Sequence, residues 1–247
     1  MRQEADLWET ELLAEQPRCD VAIAVNGVAR RFGASWVLRG TALTVAPGEV
    51  VGLLGVNGSG KSTLLRVIAT LLRPHAGTAQ VCGHDVVRGA QQVRSLIGYL
   101  AHSPGLYDDL TARENLEFAA RMLDRDYREI DHALTRVGLL AVAHRRVRGM
   151  SAGMQRRLAF ARLMLVRPRV LLLDEPYSNL DTGGIALVNE LLGEWVAGGA
   201  AALVVLHELA PALGVLDRTV TLLDGRITAA AHDTTAPALR IRSAASR

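Results

Sequence analysis

The chain has 247 residues, 49% hydrophobic and 21% charged, with a formal net charge of +3 at pH 7. That length allows one large domain with its own core, or a core carrying a helical insert, and the balance reads as globular. Only 4% of residues are aromatic, so Leu, Val and Ala must build the core, and the charge is too small to argue for a nucleic-acid partner.

In chain order, residues 1–19 read as an acidic extension closed by Pro17; they lack the apolar core of a signal peptide. Residues 20–50 alternate apolar and polar between Gly33, Gly40, Pro47 and Gly48, which predicts antiparallel strands and turns. The apolar run Glu49 to Gly55 predicts a strand buried on both faces. A helix should come next, with Leu64, Ile68, Leu71 and Leu72 on one side, stopped by Pro74 and Gly77. Residues 78–100 read as strands again, first Thr78 to Gly83 and then Ser95 to Leu100. Thr111-x-x-Glu114 is a capping box opening a helix, and two further helical stretches cover about 126–144.

A helix carrying Met154, Leu158, Ala161 and Leu165 on one side leads to a second buried strand, Val170 to Pro176. Another helix, a third buried strand ending before His207 and a late hairpin through Asp224-Gly225 complete the pattern; residues from about 233 read as a frayed tail. Strands and helices in alternation predict an α/β fold: a mostly parallel sheet with helices on both faces, an antiparallel β part at the N-terminus and a helical insert over about 105–160. The longest late apolar run, Ala200 to Leu206, is too short to span a bilayer. The chain is therefore expected to be cytosolic and to reach a membrane only through a partner. Cys19 and Cys82 form no CxxC and read as two small buried or half-buried thiols rather than a metal site or a disulfide.

The chemistry starts at Gly55-Val56-Asn57-Gly58-Ser59-Gly60-Lys61-Ser62, which fits the P-loop pattern G-x-x-x-x-G-K-[ST]. Lys61 is the only lysine; the other basic side chains are arginine. Gly58 and Gly60 let successive N–H groups turn inward as a nest for anions, and the helix after the loop adds its positive end. An ammonium is compact enough to run along that loop to the β and γ phosphates, where a planar guanidinium would fork outside it. Ser62 is expected on Mg²⁺. Asp174-Glu175, delivered by the second buried strand, would supply a Mg²⁺ ligand at Asp174 and a general base for water at Glu175.

With these motifs in this order, residues from about 20 to 232 resemble the ATP-binding cassette ATPases, P-loop NTPases of RecA-like fold. Met150-Ser151-Ala152-Gly153-Met154 stands for the signature usually written LSGGQ; positions one, three and five depart, while Ser151 and Gly153 are kept. The resemblance implies that these two meet the γ-phosphate across a dimer interface; Ser151 is also a good N-cap. It further implies ATP contacts from Asn57, Ser59 and Thr63, and a D-loop at Ser178-Asn179-Leu180-Asp181 that crosses the interface. It places a γ-phosphate histidine at His207 and an adenine-stacking aromatic at Phe32, for which a core position is the equal alternative.

Where the family carries glutamine near Mg²⁺, this chain has His102. Mg²⁺ prefers oxygen, so His102 is expected to act through water or to sense a partner. The segment from Tyr99 to Met122 resembles one branch, the ATP-binding subunits of the haem exporter of cytochrome c maturation. The resemblance implies ATP and Mg²⁺ as cofactors and a homodimer bound to integral membrane permease subunits at the cytoplasmic face, without direct cargo contact. Another exporter ATPase, or a soluble cassette of the Fe–S assembly type, stays open as an alternative. A P-loop kinase or GTPase would leave the signature helix unexplained.

Overall fold

Residues 19–229 are described by a computed structural model. The expected extension, apart from Cys19, and the tail expected from 233 lie outside them. Two long strands, β1 (Ile23–Phe32) and β2 (Ser35–Val45), pair antiparallel about a turn at Gly33, whose φ of 56° suits glycine. Strands β4 (Ala76–Val81) and β5 (His84–Asp85) add to β1, giving the order β2-β1-β4-β5. This is the antiparallel part expected from the alternation.

The second sheet holds β3 (Val50–Leu54), β6 (Ile97–Leu100), β7 (Val170–Asp174), β8 (Ala201–Val205), β9 (Arg218–Leu223) and β10 (Arg226–Ala229). Its order is β10-β9-β3-β8-β7-β6, parallel except for β10. Side chains alternate across it. Leu171, Leu173, Ala202 and Val204 join one core with Leu116, Leu134, Leu158, Phe160 and Leu192. Val170, Leu172, Leu203 and Val205 join another with Leu64, Leu65, Ile68 and Ile23. Both faces are covered, which is why these strands read as unbroken apolar runs.

Helix α1 (Lys61–Ile68) comes after β3 on the face shared with the antiparallel sheet. It stops earlier than the spacing predicts. Thr70 is left-handed at φ 65°, and the N–H groups of Leu71 and Leu72 both bond back to Arg66 O, which closes the helix before Pro74 is reached. Leu71 is consequently exposed, not part of the buried side. A second difference is α2 (Ala90–Leu96), which lies in the stretch read as strands and takes Ser95 and Leu96 from the start of the expected strand Ser95 to Leu100. It buries only Val93, so no apolar period announces it.

Helices α3 (Ala112–Leu123), α4 (Arg128–Arg136) and α5 (Ala152–Val166) occupy the expected insert. The capping box forms as predicted: Glu114 N donates to Thr111 Oγ1 (3.1 Å) and Thr111 N to Glu114 Oε2 (2.7 Å). Helix α5 packs on both α4 and β6, so it joins insert and sheet as one rod. Helix α6 (Thr182–Ala197) covers the same face of the sheet. The late hairpin turns at Asp224-Gly225 with φ of 46° and 75°. Gly225 O accepts from Arg39 N (2.8 Å) and Thr41 Oγ1 (2.7 Å), tying the antiparallel sheet to the edge of the parallel one.

Candidate active site

The site lies at the carboxyl ends of β3, β7 and β8. After β3 the chain enters the P-loop with Gly55, Gly58 and Gly60 at φ 149°, 79° and 106°. Gly60 also has no room for a side chain: a Cβ there would sit 2.9 Å from Val37 Cγ1. Strand β2 thus presses on the loop and fixes its path. Asn57 and Gly58 are exposed at its tip, while Ser62 and Thr63 are half-buried in the first turn of α1. Ser59 Oγ is buried with no hydrogen-bond partner, although a buried hydroxyl ordinarily finds one.

Lys61 is buried, and its Nζ donates to Gly55 O (2.7 Å) and Val56 O (3.0 Å). The stem therefore runs back along the loop and sets the ammonium against the carbonyls of its first two residues.

Strand β7 delivers Asp174, only 1% exposed, with Oδ1 lacking any hydrogen-bond partner. A buried, unpaired carboxylate oxygen is costly unless a cation or donor meets it. With the Ser62 hydroxyl on the adjoining helix, the donors are all oxygen, which suits Mg²⁺. Next, Glu175 leaves the strand at φ 53°, a conformation that non-glycine residues rarely adopt, while its N–H still bonds Val205 O at 3.2 Å. Its carboxylate lies between two imidazoles. His207 Nε2 is 2.5 Å from Oε1, and His102 Nδ1 is 3.3 Å from Oε2. Ser178 Oγ adds a long contact to Oε2 at 3.4 Å.

The expected residues Glu175, His207 and His102 thus meet at one carboxylate. His102 has its side chain 70% exposed against 19% for Glu175, so it reaches the carboxylate from the solvent side. Its backbone is less free. Arg156, on α5, is buried and donates to Ala101 O (3.1 Å) and His102 O (2.9 Å); Arg162 donates to Pro104 O (2.8 Å) and Gly105 O. Burial lowers the pKa of both guanidiniums, and for Arg156 the nearby Glu175 and Asp174 charges oppose that shift. Sequence reasoning gave these two arginines no part. The available signal for Arg162 was a guanidinium set between Ala161 and Leu163 inside a helix, since a buried arginine requires acceptors; Arg156, between Gln155 and Arg157, gave none.

Ser151 is exposed and caps α5, its Oγ accepting from Met154 N at 3.2 Å. Gly153 touches the expected D-loop, for a Cβ there would lie 2.7 Å from Asn179 O. Asp181 caps α6, accepting from Gly184 N at 2.7 Å. Phe32 is 46% exposed with the Arg30 guanidinium 5.0 Å from its ring, which removes the core alternative. It pairs with Ser35, two residues before the Val37 that presses on Gly60.

Comparison with known proteins agrees with this geometry. Residues 38–178 match the ABC transporter family. A daunorubicin resistance ATP-binding protein, DrrA3, of Streptomyces coeruleorubidus is 42% identical over 85% of this chain and 68% of its own. A cytochrome c biogenesis ATP-binding export protein, CcmA 2, of Cupriavidus metallidurans is 38% identical over 80% of this chain and 95% of its own. Among solved structures, the ATP-binding subunit of an ABC transporter superposes with a TM-score of 0.78 at 30% identity, covering 84% of this chain and 88% of that one. A dimeric ATP-binding cassette in a post-hydrolysis state with ADP and phosphate gives 0.76 at 26%, covering 83% and 96%. The chain belongs to the ABC transporter family and is an ATP-hydrolysing subunit of that family, close to the CcmA proteins.

Proposed function

We propose that this chain dimerises on ATP to drive export through separate membrane subunits, and that the cargo is haem for cytochrome c biogenesis. The observation that carries the motor reading is Glu175, a half-buried carboxylate held by two imidazoles beside the P-loop. In this reading the P-loop N–H groups and Lys61 hold the β and γ phosphates of ATP, and Phe32 stacks on the base. Ser62 and Asp174 would hold Mg²⁺, which when bound neutralises charge developing on the phosphates. Glu175 takes the proton of the attacking water, while His207 orients both. Ser151 and Gly153 close the site from a second copy facing head to tail.

The chain's own part is positioning and charge placement rather than covalent chemistry. Membrane subunits would dock at the cytoplasmic face, on the groove lined by Tyr107, Phe118, Met122 and Leu123. These side chains are exposed, and the Tyr107 and Phe118 rings meet edge to face at 5.1 Å. Such a patch suits a short amphipathic helix. Among the described residues no helix is long and apolar enough to cross a membrane itself.

The CcmA 2 relative is matched over 95% of its length, which favours the haem reading. The drug-resistance relative, 42% identical, favours a second reading in which a small amphipathic drug is exported. The experiment is co-purification with the membrane subunits, then phosphate release in proteoliposomes. Haem should stimulate turnover several-fold and daunorubicin should not; the reverse would favour the second reading. Lys61→Arg should abolish nucleotide binding, and tight binding by that variant would refute the size argument for the ammonium.

A further inference from the structure

The chain's two cysteines take no part in the candidate active site, and the inference drawn from them does not rest on the proposed function. Antiparallel pairing sets Ile23 opposite Val81, and Cys82 N donates to Ala22 O at 3.0 Å. The segment leading into β1 is thereby laid beside the β4–β5 turn. Cys19 and Cys82, 63 residues apart in sequence, meet there with their Sγ atoms 2.8 Å apart, one thiol donating to the other. Both are half-buried.

The backbone supplies a second, independent observation. Cys82 and Gly83 link Val81 to its partner His84, with φ of 46° and 80°. Two positive φ values in a two-residue hairpin loop are the mark of a type I′ turn, whose first central position favours Asn, Asp or Gly. A cysteine there carries backbone strain that glycine would avoid. The turn does not explain the residue; the sulfur facing it does. Among the described residues no third His, Cys, Asp or Glu joins the pair, so it lacks the ligand set of a structural zinc site.

We propose that Cys19 and Cys82 are a reversible dithiol–disulfide pair, a modification site that closes on exposure to a peroxide and reopens with a thiol reductant. Burial, the hydrogen bond that the Cys82 thiol donates to Cys19 and the Cys19 charge push the Cys82 thiol up to about 12, against a weaker pull from the Arg169 guanidinium. Cys82 is thus a poor first nucleophile, and Cys19 takes that part. The Cys19 sulfur attacks one oxygen of hydrogen peroxide, the O–O bond breaks, and the departing hydroxide leaves as water with the Cys19 proton. The Cys82 sulfur then attacks the Cys19 sulfenic acid. An S–S bond forms, the S–O bond breaks, and a second water leaves with the Cys82 proton. Two thiols are oxidised and one peroxide becomes two waters. The closed ring encloses β1, β2, β3, α1 and β4, fastening the start of β1 to a corner of the antiparallel sheet without touching Asp174 or Glu175.

The test uses the full reduced chain and hydrogen peroxide, with iodoacetamide labelling, intact mass and peptide mapping without reductant. Both thiols should vanish together, the mass should fall by two hydrogens, and one cross-linked peptide pair should join Cys19 to Cys82 within one chain. Dithiothreitol should restore both thiols. The oxidised chain should melt roughly 5 °C or more above the reduced one. Cys82→Ser, and separately Cys19→Ser, should leave the remaining sulfur to form a mixed disulfide with glutathione. Independent oxidation of the two sulfurs to sulfinic acids, disulfides between chains, or a linked chain with unchanged Tm would each overturn the proposal.

Discussion

The P-loop and the start of α5 each open a helix, yet they are anchored in opposite ways. Lys61 and Gly60 are buried, and the loop is pressed between β2 and the sheet edge, where Cβ atoms at Gly55 and Gly60 would meet Leu222 O and Val37 Cγ1. At α5, Ser151 is exposed and its hydroxyl already caps the helix, while Gly153 rests on Asn179 O. The first region is braced by the chain's own core. The second is finished locally and faces solvent, so whatever its Ser and Gly offer a nucleotide must be offered outside the chain. The proposed dimer, in which each copy completes the other, would use this difference.

Substitutions sharpen that contrast, beginning with the largest effect. Glu175→Gln removes the proposed base but keeps its shape, so kcat for phosphate release should fall about 1000-fold with KM nearly unchanged. Parental turnover would mean that another group accepts the proton. Ser151→Asp preserves an N-cap but sets a negative charge where the partner's phosphate is proposed to lie. ATPase activity should drop about 100-fold while thermal stability stays near parental, because Asp caps as well as Ser. Ser151→Ala gives the complementary reading, since loss of the cap costs about 1 kcal/mol of stability. If Ser151→Asp hydrolyses ATP normally, capping is the whole of that residue's work.

His102→Ala should lower kcat about 10-fold, as one of the two groups holding the Glu175 carboxylate is lost, with KM for ATP unchanged. A change confined to KM would move His102 from the base to the nucleotide. Phe32→Ala should raise KM for ATP about 10-fold at constant kcat, in line with base stacking of roughly 1–3 kcal/mol, and Phe32→Trp should restore it. An unaltered KM would remove the ring from the adenine site.

The P-loop, Asp174-Glu175 and the three buried strands were legible because their signals are local. Glycines at set spacing and unbroken apolar runs need no knowledge of the rest of the chain. The Thr111 capping box was legible for the same reason, both partners lying within one turn. Arg156 and Arg162 were not, because their acceptors at Ala101, His102, Pro104 and Gly105 are more than 50 residues away. The early stop of α1 depends on a left-handed Thr70, a conformation that no residue type there announces. The meeting of Cys19 and Cys82 comes from strand register, which a spacing of 63 residues does not disclose.

The central claim concerns two copies clasping ATP, and light scattering on Glu175→Gln with Mg²⁺ and ATP tests it most directly. The molar mass should double on adding ATP, stay doubled while hydrolysis is blocked, and remain that of a single chain when Ser151→Asp is added. A variant that binds ATP tightly yet keeps the mass of one chain would contradict the account.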